Sequence, residues 1–119
     1  MKVHLVGIDE NVHAQLCGLY HECKAAAHLI VDKPNLTKPE QNVANDISNF
    51  LCSVLICDVF SRYPGDYSKL TLMEQLTLLK KNIKKVLKNV PNEDVCTNEE
   101  NEIFSDLEHL YESLNALLK

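Results

Sequence analysis

The residues best equipped for chemistry lie along one stripe of the first long segment: His13, Cys17, His21, Lys24 and His28. At about 100° per residue they share an arc of about 80°, beside an apolar arc of Val12, Leu16, Leu19, Cys23, Ala27 and Ile30. Four-residue steps on a helix bring neighbouring side chains together, and imidazole with thiolate suits zinc or copper. His13, Cys17 and His21 are therefore the candidate metal ligands. His13 and His21 stand two turns apart, so a closed site needs a ligand from a second helix. The competing reading is a boundary stripe of half-exposed histidines packed on a neighbouring helix, an ordinary setting for His. No cofactor is assigned.

Within the stripe, His21, Glu22, Cys23, Lys24 and Ala25 resemble the His-x-x-Lys-Gly/Ala core of histidine phosphotransfer domains, with Ala25 where those domains usually carry glycine. The resemblance implies a four-helix bundle in which an exposed His21 accepts a phosphoryl group. Lys24, one turn on, would stabilise the charged product.

A second polar anomaly is Asp58, in the middle of the apolar run Val54, Leu55, Ile56, Cys57, Val59 and Phe60. A buried carboxylate without a partner costs several kcal/mol, and Arg62, the only arginine, stands one turn away on the same side. The pair is either a structural ion pair or, facing His21, one wall of a polar cleft. The same run is apolar nearly all round, which places it at the bundle centre or at a subunit interface. Leu55 and Phe60, with Tyr63 and Tyr67 in the turn-rich stretch that follows, are the candidate interface residues.

Four amphipathic segments must position these groups. They span about 10–31, 38–63, 72–90 and 98–118. Asp9 opens the first and Pro34 closes it; Thr37, Pro39 and Glu40 open the second, and Pro64 with Gly65 end it. Thr71 with Glu74 and Thr97 with Glu100 have capping-box spacing. In the third, Leu72, Leu76, Leu79, Ile83, Val86, Leu87 and Val90 face one way and five lysines the other. Short connections between long helices favour antiparallel neighbours, so the expected architecture is an all-α, single-domain, antiparallel four-helix bundle in up-down-up-down order. The variant is a short strand over Lys2 to Ile8, with a second over His28 to Val31. No internal repeat and no low-complexity tract stands out.

Composition narrows the function classes. At 119 residues one core is expected, and it needs no metal or disulfide to hold it. Five cysteines without paired spacing read as free thiols of a reducing, cytoplasmic setting. No apolar run reaches the roughly 18 residues of a membrane span. The net charge is −5, and the lysine-rich segment lacks arginine and interleaved aromatics, which opposes a nucleic-acid partner. Six lysines and one acid lie between Lys69 and Lys88, whereas eight acids follow Asn92, so consecutive helices carry complementary charge. With no phosphate loop, nucleophile elbow or hydrolase motif, a non-enzymatic role is expected. The reading is a helical interaction or adaptor module whose partner is another protein or a second copy. The alternative is a phosphotransfer-like or metal-binding bundle centred on His21.

Overall fold

Polar caps and apolar stripes fix four helices in the computed structural model, which describes residues 10–55, 70–90, 94 and 96–118, with the backbone alone for Glu10, Asn11 and Leu55. They are α1 (Glu10–Val31), α2 (Lys38–Leu55), α3 (Leu72–Leu87) and α4 (Asn98–Leu117). The all-α expectation holds among the described residues. His28 to Val31 is the last turn of α1, which removes the second strand. Residues 1–9 and 56–69 lie outside the described residues, and with them the strand over Lys2 to Ile8 and the extension of the second helix to Tyr63.

Both expected capping boxes form, and a third appears at Thr37. In α2 the Thr37 amide donates to Glu40 Oε1 (2.9 Å) and the Glu40 amide to Thr37 Oγ1 (3.3 Å). In α3 the bonds from Thr71 and Glu74 are 3.0 and 3.2 Å, and in α4 those from Thr97 and Glu100 are 2.8 and 3.2 Å. Each box satisfies two amides that the helix itself leaves open. α3 stops at Leu87, three residues before the expected end. The Asn89 side chain donates to the Lys85 carbonyl (3.2 Å), closing the last turn, and Pro91 disfavours helical backbone at Val90.

The core is Leu16, Leu19, Cys23 and Ala26 of α1, Val43, Ile47, Phe50 and Val54 of α2, Leu76, Leu79, Ile83 and Val86 of α3, and Ile103, Leu107, Leu110 and Leu114 of α4, with close neighbours. The order around the bundle departs from up-down-up-down. α1 packs on α2 and α3, and α4 packs on the same two, while the pairs α1/α4 and α2/α3 barely meet. Consecutive helices α2 and α3 thus occupy opposite corners. Helical patterning tells which face is buried but not which helix covers it. For α2 and α4 the sense is antiparallel: Ser113 donates to Asp46, and Ser53 donates to Asp106, so numbers rise along one helix as they fall along the other.

These two bonds expose a repeat. Asp46 and Asp106 are sixty positions apart, as are Ser53 and Ser113, Thr37 and Thr97, Glu40 and Glu100, Gln15 and Gln75, Leu16 and Leu76, and Leu19 and Leu79. Every core position named above has its counterpart at the same offset, as do the bonds from Gln41 N to Thr37 O (2.9 Å) and from Asn101 N to Thr97 O (3.0 Å). The hairpin α1–α2 therefore recurs as α3–α4. The two halves meet as the two subunits of a two-fold dimer do, where residue i touches j and j touches i. Glu22 and Asn82 are equivalents that bond each other, so they lie on the local two-fold. This corrects the expectation of no internal repeat: the identities are sparse, and core positions exchange Val, Ile, Leu and Phe freely.

One cap carries a pH signature. Lys33 bonds the Glu40 carboxylate, and with the Thr37 amide it lowers the Glu40 pKa from 4.5 to about 2. The folded state therefore holds this proton less tightly than the unfolded state. The stability Glu40 contributes is complete above the unfolded pKa and fades as pH falls from about 4.5 towards 2. Urea midpoints measured down this range are expected to drop less steeply in Glu40→Gln than in the parent; an equal slope would assign the acid sensitivity to other carboxylates.

Candidate functional site

α1 carries the groups with chemical potential, and its two flanks open into different hollows. On the stripe, Cys17 Sγ lies 3.9 Å from His13 Nδ1 and 4.0 Å from Nε2. His21 packs edge-on to Tyr20 with ring centroids 5.4 Å apart, and Lys24 Nζ sits 5.3 Å from the centre of the Tyr20 ring. No three His, Cys, Asp or Glu side chains converge as a metal site requires among the described residues. Burial also raises the Cys17 thiol above its ordinary value. Burial raises Cys23 well above its ordinary value, with Glu22 adding to it, and raises Cys96, with Glu100 adding.

For phosphotransfer the accepting imidazole must meet a partner protein. His21 is half-buried and its Nε2 is buried, while Lys24 is drawn to Tyr20. That geometry weighs against phosphoryl transfer at Nε2. The other sequence candidates, Asp58, Arg62, Phe60, Tyr63 and Tyr67, and the Leu55 side chain, lie outside the described residues.

Between α1 and α2, a groove of about 390 Å³ is lined by Lys24, Ala27, His28, Val31, Asp32 and Leu51. Val31 is 81% exposed, the most exposed large apolar side chain among the described residues. The repeat shows why the groove exists. At the equivalent positions of the second hairpin stand Leu87 and Tyr111, each larger than Ala27 and Leu51 and each half-buried against the core. No local motif marks this groove; the signal was the size difference between equivalent positions, visible once the offset of sixty is known.

Two more hollows flank the α2/α4 seam and are related by the same two-fold. One is lined by Asn42, Asp46, His109, Glu112 and Ser113, and the other by Asn49, Cys52, Ser53, Glu102 and Asp106, among others. Ser113, His109 and Asp46 share a hollow without making a hydrolytic triad, because Ser113 donates directly to the carboxylate.

On the other flank of α1, against α3, Gln15, Gly18, Glu22, Asn82 and Lys85 line a hollow of about 270 Å³. Asn82 Nδ2 donates to both Glu22 oxygens (2.7 and 2.9 Å). Burial raises the Glu22 pKa; the Asn82 bond and the Lys85 charge act the other way. The Gln15 Oε1 is buried and accepts no hydrogen bond from any described residue. No helix among the described residues is long and apolar enough to cross a membrane. Compared with protein-family models, curated proteins and solved structures, the chain matches none, so its reading rests on its own geometry.

Proposed function

We propose that this protein is a small helical protein–protein interaction module that self-associates, and that the α1/α2 groove is the contact. The observation that carries this is the contrast between the halves: where the second hairpin fills its surface with Leu87 and Tyr111, the first leaves Ala27, Leu51 and an exposed Val31. The charges around the groove favour a second copy as occupant. Lys24 and Asp32 stand two turns apart on its rim with His28 midway, so a two-fold at His28 sets the Lys24 of each copy near the Asp32 of the other. Each Val31 then leaves water against α1 of the other copy. The free thiols at Cys17, Cys23, Cys52 and Cys96 suit a reducing compartment such as the cytoplasm. Neither a nucleic acid nor a membrane is part of this reading.

Sedimentation equilibrium of the full chain tests it. The expected result is a concentration-dependent dimer that Val31→Asp weakens about a hundredfold, since burial of a valine is worth about 1.5 kcal/mol and the two-fold counts each loss twice. Lys24→Asp alone and Asp32→Lys alone each weaken it, and the two together restore it, because the reversed pair is again complementary. A chain that stays monomeric at millimolar concentration overturns the proposal. So does a dimer indifferent to Val31→Asp.

A further inference from the structure

The repeat separates what the fold demands from what it does not. Along the α1/α3 contact, both hairpins keep the same or similar residues at Gln15 and Gln75, Leu16 and Leu76, Leu19 and Leu79, and Ala26 and Val86. They differ at the positions that line the hollow beside Glu22. Gly18 faces Leu78 as its equivalent, Glu22 faces Asn82, and Lys85 faces Ala25. A Cβ built on Gly18 would meet nothing within 4 Å, so the glycine leaves open space where the other half carries a leucine. Three departures from the two-fold thus meet in one cavity. They place a half-buried carboxylate, an ammonium group and a glycine's open space around it.

We propose that this hollow binds a small zwitterion of free amino-acid size, its ammonium group held by the Glu22 carboxylate and its own carboxylate held by Lys85. The complementarity is by hydrogen-bonding capacity. A Glu22 carboxylate accepts further bonds beyond the two from Asn82. It calls for N–H donors, which a ligand ammonium supplies in number. Lys85 is exposed at the rim and carries only donors, so it calls for an acceptor. A purely cationic ligand would face Lys85, and a purely anionic one Glu22. A molecule carrying both charges satisfies Glu22 and Lys85 together, and a volume of about 270 Å³ admits one of amino-acid size.

The test is a series of proton–nitrogen correlation spectra of the full chain titrated with single free L-amino acids, with propylamine and propionate as half-ligands. At least one amino acid is expected to shift the Gly18 amide and the Asn82 side-chain amide saturably, with each half-ligand at least about tenfold weaker, a loss equal to about 1.4 kcal/mol. Gly18→Leu puts into α1 the residue α3 already carries, and leucine favours the helix over glycine, so the fold should hold while binding is lost. Lys85→Ala, at an exposed position, should weaken binding about tenfold by the same conversion. Three results overturn the proposal: no shift at those signals at millimolar amino acid, propionate or propylamine binding as well as the zwitterion, or binding undiminished in Lys85→Ala. The outcome is independent of the groove, whose test reads mass and not these signals.

Discussion

Phe50→Ala is expected to cost about 3–5 kcal/mol of unfolding free energy, the largest loss of any single substitution here. Phe50 is fully buried, and on α2 it lies midway between Asp46 and Ser53, the two residues that tie α2 to α4. Truncation removes the ring from its packing and leaves a cavity that the rigid seam on either side keeps from collapsing. Against a total stability of roughly 5–15 kcal/mol for a domain, such a loss leaves a measurable unfolded fraction under mild conditions. Its equivalent, Leu110, lies midway between Asp106 and Ser113 and is also fully buried. Urea unfolding should therefore show Leu110→Ala costing about 2–5 kcal/mol. The exchange Phe50→Leu with Leu110→Phe should cost under about 1.5 kcal/mol, because volume is conserved within one two-fold core. An exchange as damaging as Phe50→Ala would show that the two positions are not equivalent.

Removing both helix caps is the second large effect. Thr37→Ala and Thr97→Ala should each lower stability by about 1 kcal/mol, since each leaves the amide of the buried Glu40 or Glu100 without its side-chain acceptor. The caps begin antiparallel helices and so sit at opposite ends of the seam, roughly 37 Å apart by helix rise. At that separation the two losses add, giving about 2 kcal/mol in the double variant. Urea midpoints with an unchanged slope are the readout. A double variant no weaker than either single one would mean that the two hairpins do not bear load independently.

Much of this architecture was legible in residue order, and the reasons are local. Thr71 with Glu74 and Thr97 with Glu100 announce their helices because a capping box needs only its own four residues. The apolar stripes of α3 and α4 recur at helical period, so their buried faces follow directly. Neighbour choice did not follow, because an amphipathic helix accepts any apolar face of suitable shape, and α2 and α3 took opposite corners. The repeat escaped notice because its constant residues, such as Gln15 and Gln75 or Asp46 and Asp106, carry no motif. Their meaning appears only when Ser113 is seen to bond Asp46 while Ser53 bonds Asp106. The histidine stripe was legible as a pattern but not as a site. Cys17 and His13 do approach each other, yet no further ligand joins them among the described residues. The groove and the Glu22 hollow are made by small residues, Ala27 and Gly18, whose significance lies in what they fail to fill.

The bonds that join the two hairpins also bear on how the chain reaches its native state. Asp46 to Ser113, Ser53 to Asp106 and Glu22 to Asn82 close loops of 67, 53 and 60 residues. The contacts within each hairpin, by contrast, arise between adjacent helices of the chain. Helix pairs with local contacts form within microseconds to milliseconds, while long loops must be closed before distant contacts repay the lost chain entropy. The entropy lost in those three closures is thus a main cost of bringing the hairpins together, and the Ser–Asp pairs settle the register between them.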